Sequence, residues 1–263
     1  MMLRGLASRA GIALVLVSLL LPWVGARALI VDAIGDSKNT EAPDDDPGWA
    51  NVGRCRSWTA VYLGGGWVLT ARHVGAADLN LDGEKYTAVP NSRQVISVLG
   101  EAKTDLILFR IDPLPALPTL SLSKSPPEIG ESILMIGAGY GRGDQITGGY
   151  FSGYYWDSKI GMKWGTGTVF EYLVAETVGT TKAFATRFSI AKTRYEAQAA
   201  SGDSGGAAFV RGADRWELAG ILLAIKGYDG QPQRSAVYGN QTVIADLAHY
   251  RETIYRVTGR SED

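Results

Sequence analysis

Short runs of strand-forming residues, each closed by a turn signal, make up most of this sequence and constrain its fold more than any other feature. With 33 glycines, 7 tryptophans and 12 tyrosines in 263 residues, the composition favours sheets, because glycine weakens helices and aromatic side chains pack well on pleated surfaces. The pattern predicts antiparallel β-structure rather than alternating strands and helices. In the first half of the chain, the runs are residues 57–63, 67–70, 94–99 and 106–111.

A group of prolines divides these runs into two sets. Five of the ten prolines fall between residues 113 and 127, a stretch that can form neither a helix nor a central strand. After it the strand-forming runs resume, and only the C-terminal end has helical spacing of its apolar residues. We therefore predict an all-β protein with two small barrels and a C-terminal helix. The expected parts are an N-terminal segment and first barrel in 29–112, a linker in 113–128, and the second barrel and helix in 129–263.

The first 28 residues have the pattern of a signal peptide. Two arginines precede an apolar run over residues 11–21, and small residues follow at the positions that signal peptidases require, with cleavage expected after Ala28 or Ala26. The apolar run is shorter than the roughly 20 residues that span a bilayer. This predicts a secreted or periplasmic protein that has no membrane anchor after cleavage.

Charge and rare residues exclude several classes of function. Removal of residues 1–28 takes away three basic residues and no acidic one, which changes the net charge from −1 to −4 and argues against a nucleic-acid partner. The single cysteine, Cys55, excludes an internal disulfide and a Cys-based zinc site. We expect neither a metal nor an organic cofactor. Any imidazole chemistry must use His73 or His249, the two histidines of the chain.

The segment Gly-Asp-Ser-Gly-Gly at 202–206 is the strongest local motif. Its glycines allow a sharp turn that presents the hydroxyl of Ser204 and directs backbone N–H groups towards one point. A serine hydroxyl becomes an effective nucleophile when a base accepts its proton. His73 follows a predicted strand, and Asp105 immediately precedes another, so a carboxylate is available to orient the imidazole.

In these motifs the sequence resembles the chymotrypsin/trypsin-like serine peptidases. The three segments are Thr-Ala-Arg-His at 70–73, Thr-Asp-Leu-Ile-Leu-Phe at 104–109 and Gly-Asp-Ser-Gly-Gly at 202–206. The resemblance implies two six-stranded antiparallel β-barrels and a peptidase acting on proteins or peptides. It also implies that His73 is the general base, Asp105 its orienting partner and Ser204 the nucleophile, with the N–H groups of Gly202 and Ser204 forming the oxyanion hole.

The same resemblance places the substrate pocket at Gln198, Ser201, Leu223 and Ile225. Gln198 stands where trypsin has an aspartate, so we expect no preference for Arg or Lys at the cleavage site. Ile225 stands where many relatives have glycine and should narrow the pocket, which favours small or medium uncharged side chains. Residues 30–31, Ile-Val, resemble the new N-terminus that activates many relatives by pairing with the aspartate before the nucleophile, here Asp203. Cleavage after Ala28 would make Leu29 the first residue, one position before Ile30.

Two other interpretations fit part of the sequence. Ser204, Asp229 and His249 follow the order of an α/β-hydrolase esterase, although helical patterns are nearly absent upstream and His249 lies off the apolar face of the last helix. Alternatively, a protease-like domain without catalysis could serve for binding. We expect the protein to be a monomer.

Overall fold

The computed structural model describes residues 29–32 and 38–260, so the predicted signal peptide lies outside the described residues. Eighteen strands and one α-helix form the structure. The strands are β1 (Ile30–Val31), β2 (Val52–Cys55), β3 (Trp58–Gly64), β4 (Trp67–Ala71), β5 (Leu79–Leu81), β6 (Glu84–Ala88), β7 (Gln94–Val95), β8 (Leu106–Asp112), β9 (Ser132–Gly137), β10 (Tyr140–Gln145), β11 (Gly153–Ile160), β12 (Lys163–Glu176), β13 (Thr180–Arg187), β14 (Ala197–Gln198), β15 (Ala207–Arg211), β16 (Trp216–Lys226), β17 (Ser235–Val237) and β18 (Gln241–Asp246).

The first barrel is an antiparallel sheet in the order β4-β3-β2-β5-β6-β8, closed by pairing between β4 and β8, with the short β7 beside β8. The triple glycine at 64–66 joins β3 to β4, and all three residues have positive φ angles that other residues rarely adopt. Apolar side chains of β3, β4 and β8 are buried on both faces of these strands, among them Leu69, Leu108 and Phe109, which are fully buried.

The second barrel is closed by β12, β13, β18, β16, β15 and β9, in that order. A separate sheet of β10, β11 and β17 lies beside it, and β1 near the N-terminus pairs with β14. The prediction of two six-stranded antiparallel barrels is confirmed. The all-β fold also shows that the α/β-hydrolase alternative is wrong, since that enzyme class needs a mainly parallel sheet flanked by helices.

The α-helix α1 (Leu247–Thr258) ends the described chain, as its helical spacing predicts. Asp246 caps its N-terminus by accepting from the N–H of Ala248, and Gly259 ends it in the left-handed conformation. The proline-rich stretch lies between β8 and β9 and bonds to both barrels, through Leu120 N–H to the Leu63 carbonyl and Ser123 N–H to the Leu218 carbonyl. No helix among the described residues is long and apolar enough to cross a membrane.

Candidate active site

His73 and Asp105 form a hydrogen-bonded pair at one end of the first barrel. β4 and β8 are neighbours, with Ala71 opposite Leu106, so the residues that follow β4 lie beside the residue that precedes β8. Asp105 Oδ2 lies 2.8 Å from His73 Nδ1, and Asp105 Oδ1 accepts the backbone N–H of His73 at 3.0 Å. The carboxylate is fully buried, whereas the imidazole side chain is 23% exposed. The carboxylate thus fixes the ring and leaves its other edge accessible.

The segment that carries Ser204 lies between β14 and β15 and is held by Thr59 of the first barrel. The Thr59 hydroxyl donates to the Gly202 carbonyl at 2.8 Å, and the Thr59 N–H donates to the Ser204 carbonyl at 3.0 Å. Gly205 has φ +85°, and a Cβ there would lie 2.0 Å from the Thr59 carbonyl oxygen, so this close approach requires glycine. Sequence reasoning missed Thr59, because nothing in its local sequence indicates a partner more than 140 residues away.

Two backbone N–H groups of this segment are free to bind an oxyanion. The carbonyls of Gly202 and Ser204 point towards Thr59, and within the described chain neither residue's N–H donates to a protein acceptor. Gly202 has φ +94°, and a Cβ on it would lie 2.6 Å from Gly139 Cα, so a larger residue would disrupt the turn. These are the two donors that the sequence predicts for an oxyanion hole.

Adjacent residues of β3 contact the segments of His73 and Ser204 at the junction of the barrels. The ring of Trp58 packs edge-on against His73 with 5.8 Å between centroids, and the next residue, Thr59, holds the Ser204 segment. The Ser204 hydroxyl donates to the Leu223 carbonyl at 3.4 Å, and no hydrogen bond joins it to His73 among the described residues. Catalytic hydrogen bonds of this kind are often long in unliganded enzymes and form once substrate is bound.

Asp203 is fully buried, and its donors among the described residues are all backbone N–H groups. Its carboxylate receives the N–H groups of Ala200 and Gly139, each at 2.8 Å, and that of Leu29. Burial raises the pKa of Asp203 to about 7, and the three backbone donors oppose this effect. Leu29 itself is buried and has φ +48°, an unfavourable conformation for a leucine. The start of the described chain therefore contacts the base of the nucleophile segment.

A cavity of about 120 Å³ opens beside Ser204. Three of the predicted pocket residues, Ser201, Leu223 and Ile225, line it. The structure places Gln198 outside this lining, because it lies in β14, where its side-chain amide donates to the Gln241 carbonyl at 3.1 Å. Trp156 of β11 also lines the cavity, and sequence reasoning missed it. The remaining lining residues are Ala199, Ala200, Ser204, Leu222 and Ala224.

The other singled-out residues lie away from this site. His249 is exposed on α1, where its Nε2 lies 3.1 Å from Glu101 Oε1. Cys55 is buried in the first barrel, and burial raises the pKa of its thiol to about 11, which makes it unreactive at neutral pH. The described residues contain no group of three or more His, Cys, Asp or Glu side chains that could hold a metal ion.

Comparisons with known proteins agree with this arrangement. A family model of the trypsin-like peptidase domain matches residues 58–221, more than half of the chain. The inactive form of the Rv3671c protease is similar with a TM-score of 0.50 and 14% identity, covering 80% of this chain and 90% of that one. A mutant of the same protease from M. tuberculosis H37Rv gives a TM-score of 0.50 and 15% identity, covering 82% and 97%.

A further structure, the HtrA-type protease AlgW with a decapeptide, gives a TM-score of 0.48 and 23% identity over 77% of this chain and 51% of that one. The search of curated proteins gives no match. At these levels of identity, the Rv3671c structures support the fold, and the match to the family model assigns the family.

Proposed function

The chain belongs to the trypsin-like peptidase family, a family of serine proteases, and on that premise we propose that it is an endopeptidase using His73, Asp105 and Ser204. The observation that carries this proposal is the buried Asp105 carboxylate on His73 Nδ1, at a junction where Thr59 also holds the Ser204 segment. This is the arrangement that converts a serine hydroxyl into a nucleophile.

The reaction proceeds through an acyl-enzyme. The Ser204 hydroxyl turns from the Leu223 carbonyl towards His73 by rotation about χ1, and His73 Nε2 accepts its proton as Oγ attacks the peptide carbonyl carbon. Asp105 stabilises the imidazolium that forms, and the N–H groups of Gly202 and Ser204 stabilise the oxyanion. His73 then protonates the leaving amine. A water molecule, deprotonated by His73, attacks the acyl-enzyme, and His73 returns that proton to Ser204 Oγ as the ester bond breaks and the carboxylic acid product leaves.

The side chain preferred before the cleaved bond is small or of medium size and uncharged. The cavity beside Ser204 has a volume of about 120 Å³, and Trp156 and Ile225 are among the residues that line it. Apart from the hydroxyls of Ser201 and Ser204 and the indole N–H of Trp156, its lining side chains are apolar, and the described part of the chain places no carboxylate there to pair with Arg or Lys. Burying an unpaired positive charge would be unfavourable.

The protein is exported, and cleavage after Ala28 makes Leu29 the first residue. The support is the signal-peptide pattern together with the contact between the Leu29 N–H and the Asp203 carboxylate. After cleavage this N–H belongs to a charged amino group, which gives the buried carboxylate a partner of opposite charge. Cleavage also removes the φ torsion of Leu29, so the left-handed strain of about 1–2 kcal/mol disappears.

A fluorophosphonate probe, combined with protein and ester substrates, tests the proposed activity. We expect labelling and proteolysis by the wild type, no labelling of Ser204→Ala, and a loss on the order of 10⁶ in turnover for His73→Ala. His249→Ala is the matched control and should keep wild-type activity, because this exposed histidine pairs with Glu101 away from the site. A wild-type protein that neither labels nor cleaves would support the non-catalytic binding domain instead.

A further inference from the structure

The hairpin of β12 and β13 reaches from the second barrel to the catalytic loops of the first. At its turn, the Thr180 N–H donates to the Lys103 carbonyl at 3.2 Å, and Arg72 Nη1 donates to the Val178 carbonyl at 3.3 Å. Gly179 has φ +105°, and a Cβ there would lie 1.9 Å from the Lys103 carbonyl oxygen. The turn is therefore held tightly against Arg72, the residue before His73, and Lys103, two residues before Asp105.

Two threonines of this hairpin bond to Asp105 itself. Thr181 is fully buried, and its hydroxyl accepts the Asp105 backbone N–H at 2.8 Å. The Thr177 hydroxyl donates to Asp105 Oδ2 at 2.5 Å, and Oδ2 is the same oxygen that faces His73 Nδ1. One threonine thus fixes the backbone of the acid, and the other contacts its carboxylate.

The position of the carboxylate depends on this hydroxyl. Asp105 is fully buried whereas Thr177 is exposed, and the loss of a donor to a buried charged group is costly. The strand beside Ser204 offers no substitute, because residues 222–224 of β16 are Leu, Leu and Ala. Asp105 Oδ1 accepts the His73 backbone N–H, and Oδ2 lies within hydrogen-bond distance of both the Thr177 hydroxyl and His73 Nδ1. One orientation of the carboxylate makes all three hydrogen bonds.

We infer that Thr177 is a positioning residue for the His73–Asp105 pair. Its hydroxyl holds Asp105 Oδ2 opposite His73 Nδ1, so that the imidazole keeps the tautomer and orientation it needs to accept the Ser204 proton. This inference deepens the proposed peptidase function and rests on it for its effect on turnover. Thr177 does not line the cavity beside Ser204, so its effect belongs to kcat rather than to substrate binding.

Three variants of the full-length chain, allowed to process normally, test this role. Thr177→Val removes the hydroxyl at nearly constant volume, Thr177→Ser keeps it, and Thr180→Val makes the same change three residues along the same hairpin. Thr180 contributes its backbone N–H to the turn, and no described contact uses its hydroxyl. With an ester substrate carrying alanine at the cleavage site, we expect Thr177→Val to lower kcat about tenfold or more at unchanged KM, since charge-assisted hydrogen bonds are strong. Thr177→Ser and Thr180→Val should stay near wild type.

A spectroscopic measurement decides the inference independently of turnover. The proton between His73 Nδ1 and Asp105 Oδ2 gives a far-downfield proton NMR resonance, assigned by its loss in His73→Ala. We expect this resonance to shift or broaden in Thr177→Val and to be unchanged in Thr177→Ser and Thr180→Val. An unchanged resonance and kcat in Thr177→Val, or equal losses in Thr177→Val and Thr180→Val, would overturn the inference. If the wild type has no peptidase activity, the proposed function fails, and the resonance alone still decides the role of Thr177.

Discussion

Two aspartates of the site are fully buried, and their partners give them different tasks. Asp105 accepts from the His73 ring and from the Thr177 hydroxyl, so its charge acts on the side chains of these two residues. Within the described chain, Asp203 accepts from backbone N–H groups, including those of Ala200 and Gly139, and therefore fixes the shape of the turn that presents Ser204. The residue type is the same, and the difference in role comes from the donors that surround each carboxylate.

Trp156 is the largest side chain that lines the pocket, which leads to a prediction at the residue scale. Trp156→Ala should enlarge the cavity and raise kcat/KM for substrates with leucine or phenylalanine at the cleavage site, relative to alanine, by about tenfold. Tyr155→Ala is the control, since this neighbouring aromatic of β11 is 41% exposed and lies outside the cavity lining. The measurement is the ratio of kcat/KM values for paired peptide substrates. If both variants change the ratio equally, Trp156 does not set the specificity.

Among the elements, the hairpin of β12 and β13 contacts the segments on which both His73 and Asp105 lie. Gly179→Ala should displace its turn, because the added Cβ would lie 1.9 Å from the Lys103 carbonyl oxygen. Gly148→Ala is the matched control, since Gly148 also has a positive φ, +84°, but nothing lies within 4 Å of its added Cβ. We expect Gly148→Ala to lose about 1 kcal/mol of stability and to keep its activity, whereas Gly179→Ala loses both stability and kcat.

Denaturant unfolding and steady-state kinetics on the two glycine variants measure these effects. Equal losses of stability with kcat preserved in both would show that the turn does not need to contact the first barrel for catalysis.

The elements also show which parts of the site can be predicted from sequence. His73 and Asp105 each lie beside a strand of strong apolar pattern, so local sequence locates them, and pairing of β4 with β8 brings them together. Thr177 lies 72 residues from Asp105, in an exposed turn whose sequence resembles any other turn. Its role depends on the length of β12 and β13 and on how the barrels pack. For Gln198 the sequence predicts a place in the pocket that the structure does not give it. The residue lies in β14, which pairs with β1, and its side-chain amide donates to the Gln241 carbonyl.

At the scale of the whole molecule, the described N-terminal residues join the second barrel and the nucleophile segment. β1 pairs with β14, and Asp32 accepts hydrogen bonds from the hydroxyls of Tyr154 and Tyr238, which lie in or beside the sheet that contains Trp156. One residue before β1, the Leu29 N–H reaches Asp203. The N-terminal segment therefore contacts both the pocket side and the serine side of the site, which makes its processing relevant to stability.

The pH dependence of stability should differ between a chain that begins at Leu29 and one that retains Ala28. With Ala28 attached, the pKa of Asp203 is raised to about 7 in the folded state, well above the roughly 3.9 of an unfolded aspartate. The folded chain then keeps a proton that the unfolded chain has lost, so the contribution of Asp203 to the free energy of unfolding is lost as pH rises from about 4 to about 7.

In the chain that begins at Leu29, the charged amino group favours the Asp203 carboxylate and lowers its pKa, so this loss should be smaller or absent. Urea unfolding of both chains across this pH range measures the difference in slope. Asp203→Asn in each chain is the control, because it removes the titrating group and should make the two slopes equal. Identical slopes for the two chains with Asp203 present would mean that the amino group does not pair with this carboxylate. Cleavage after Ala28 would then have no electrostatic effect on the site.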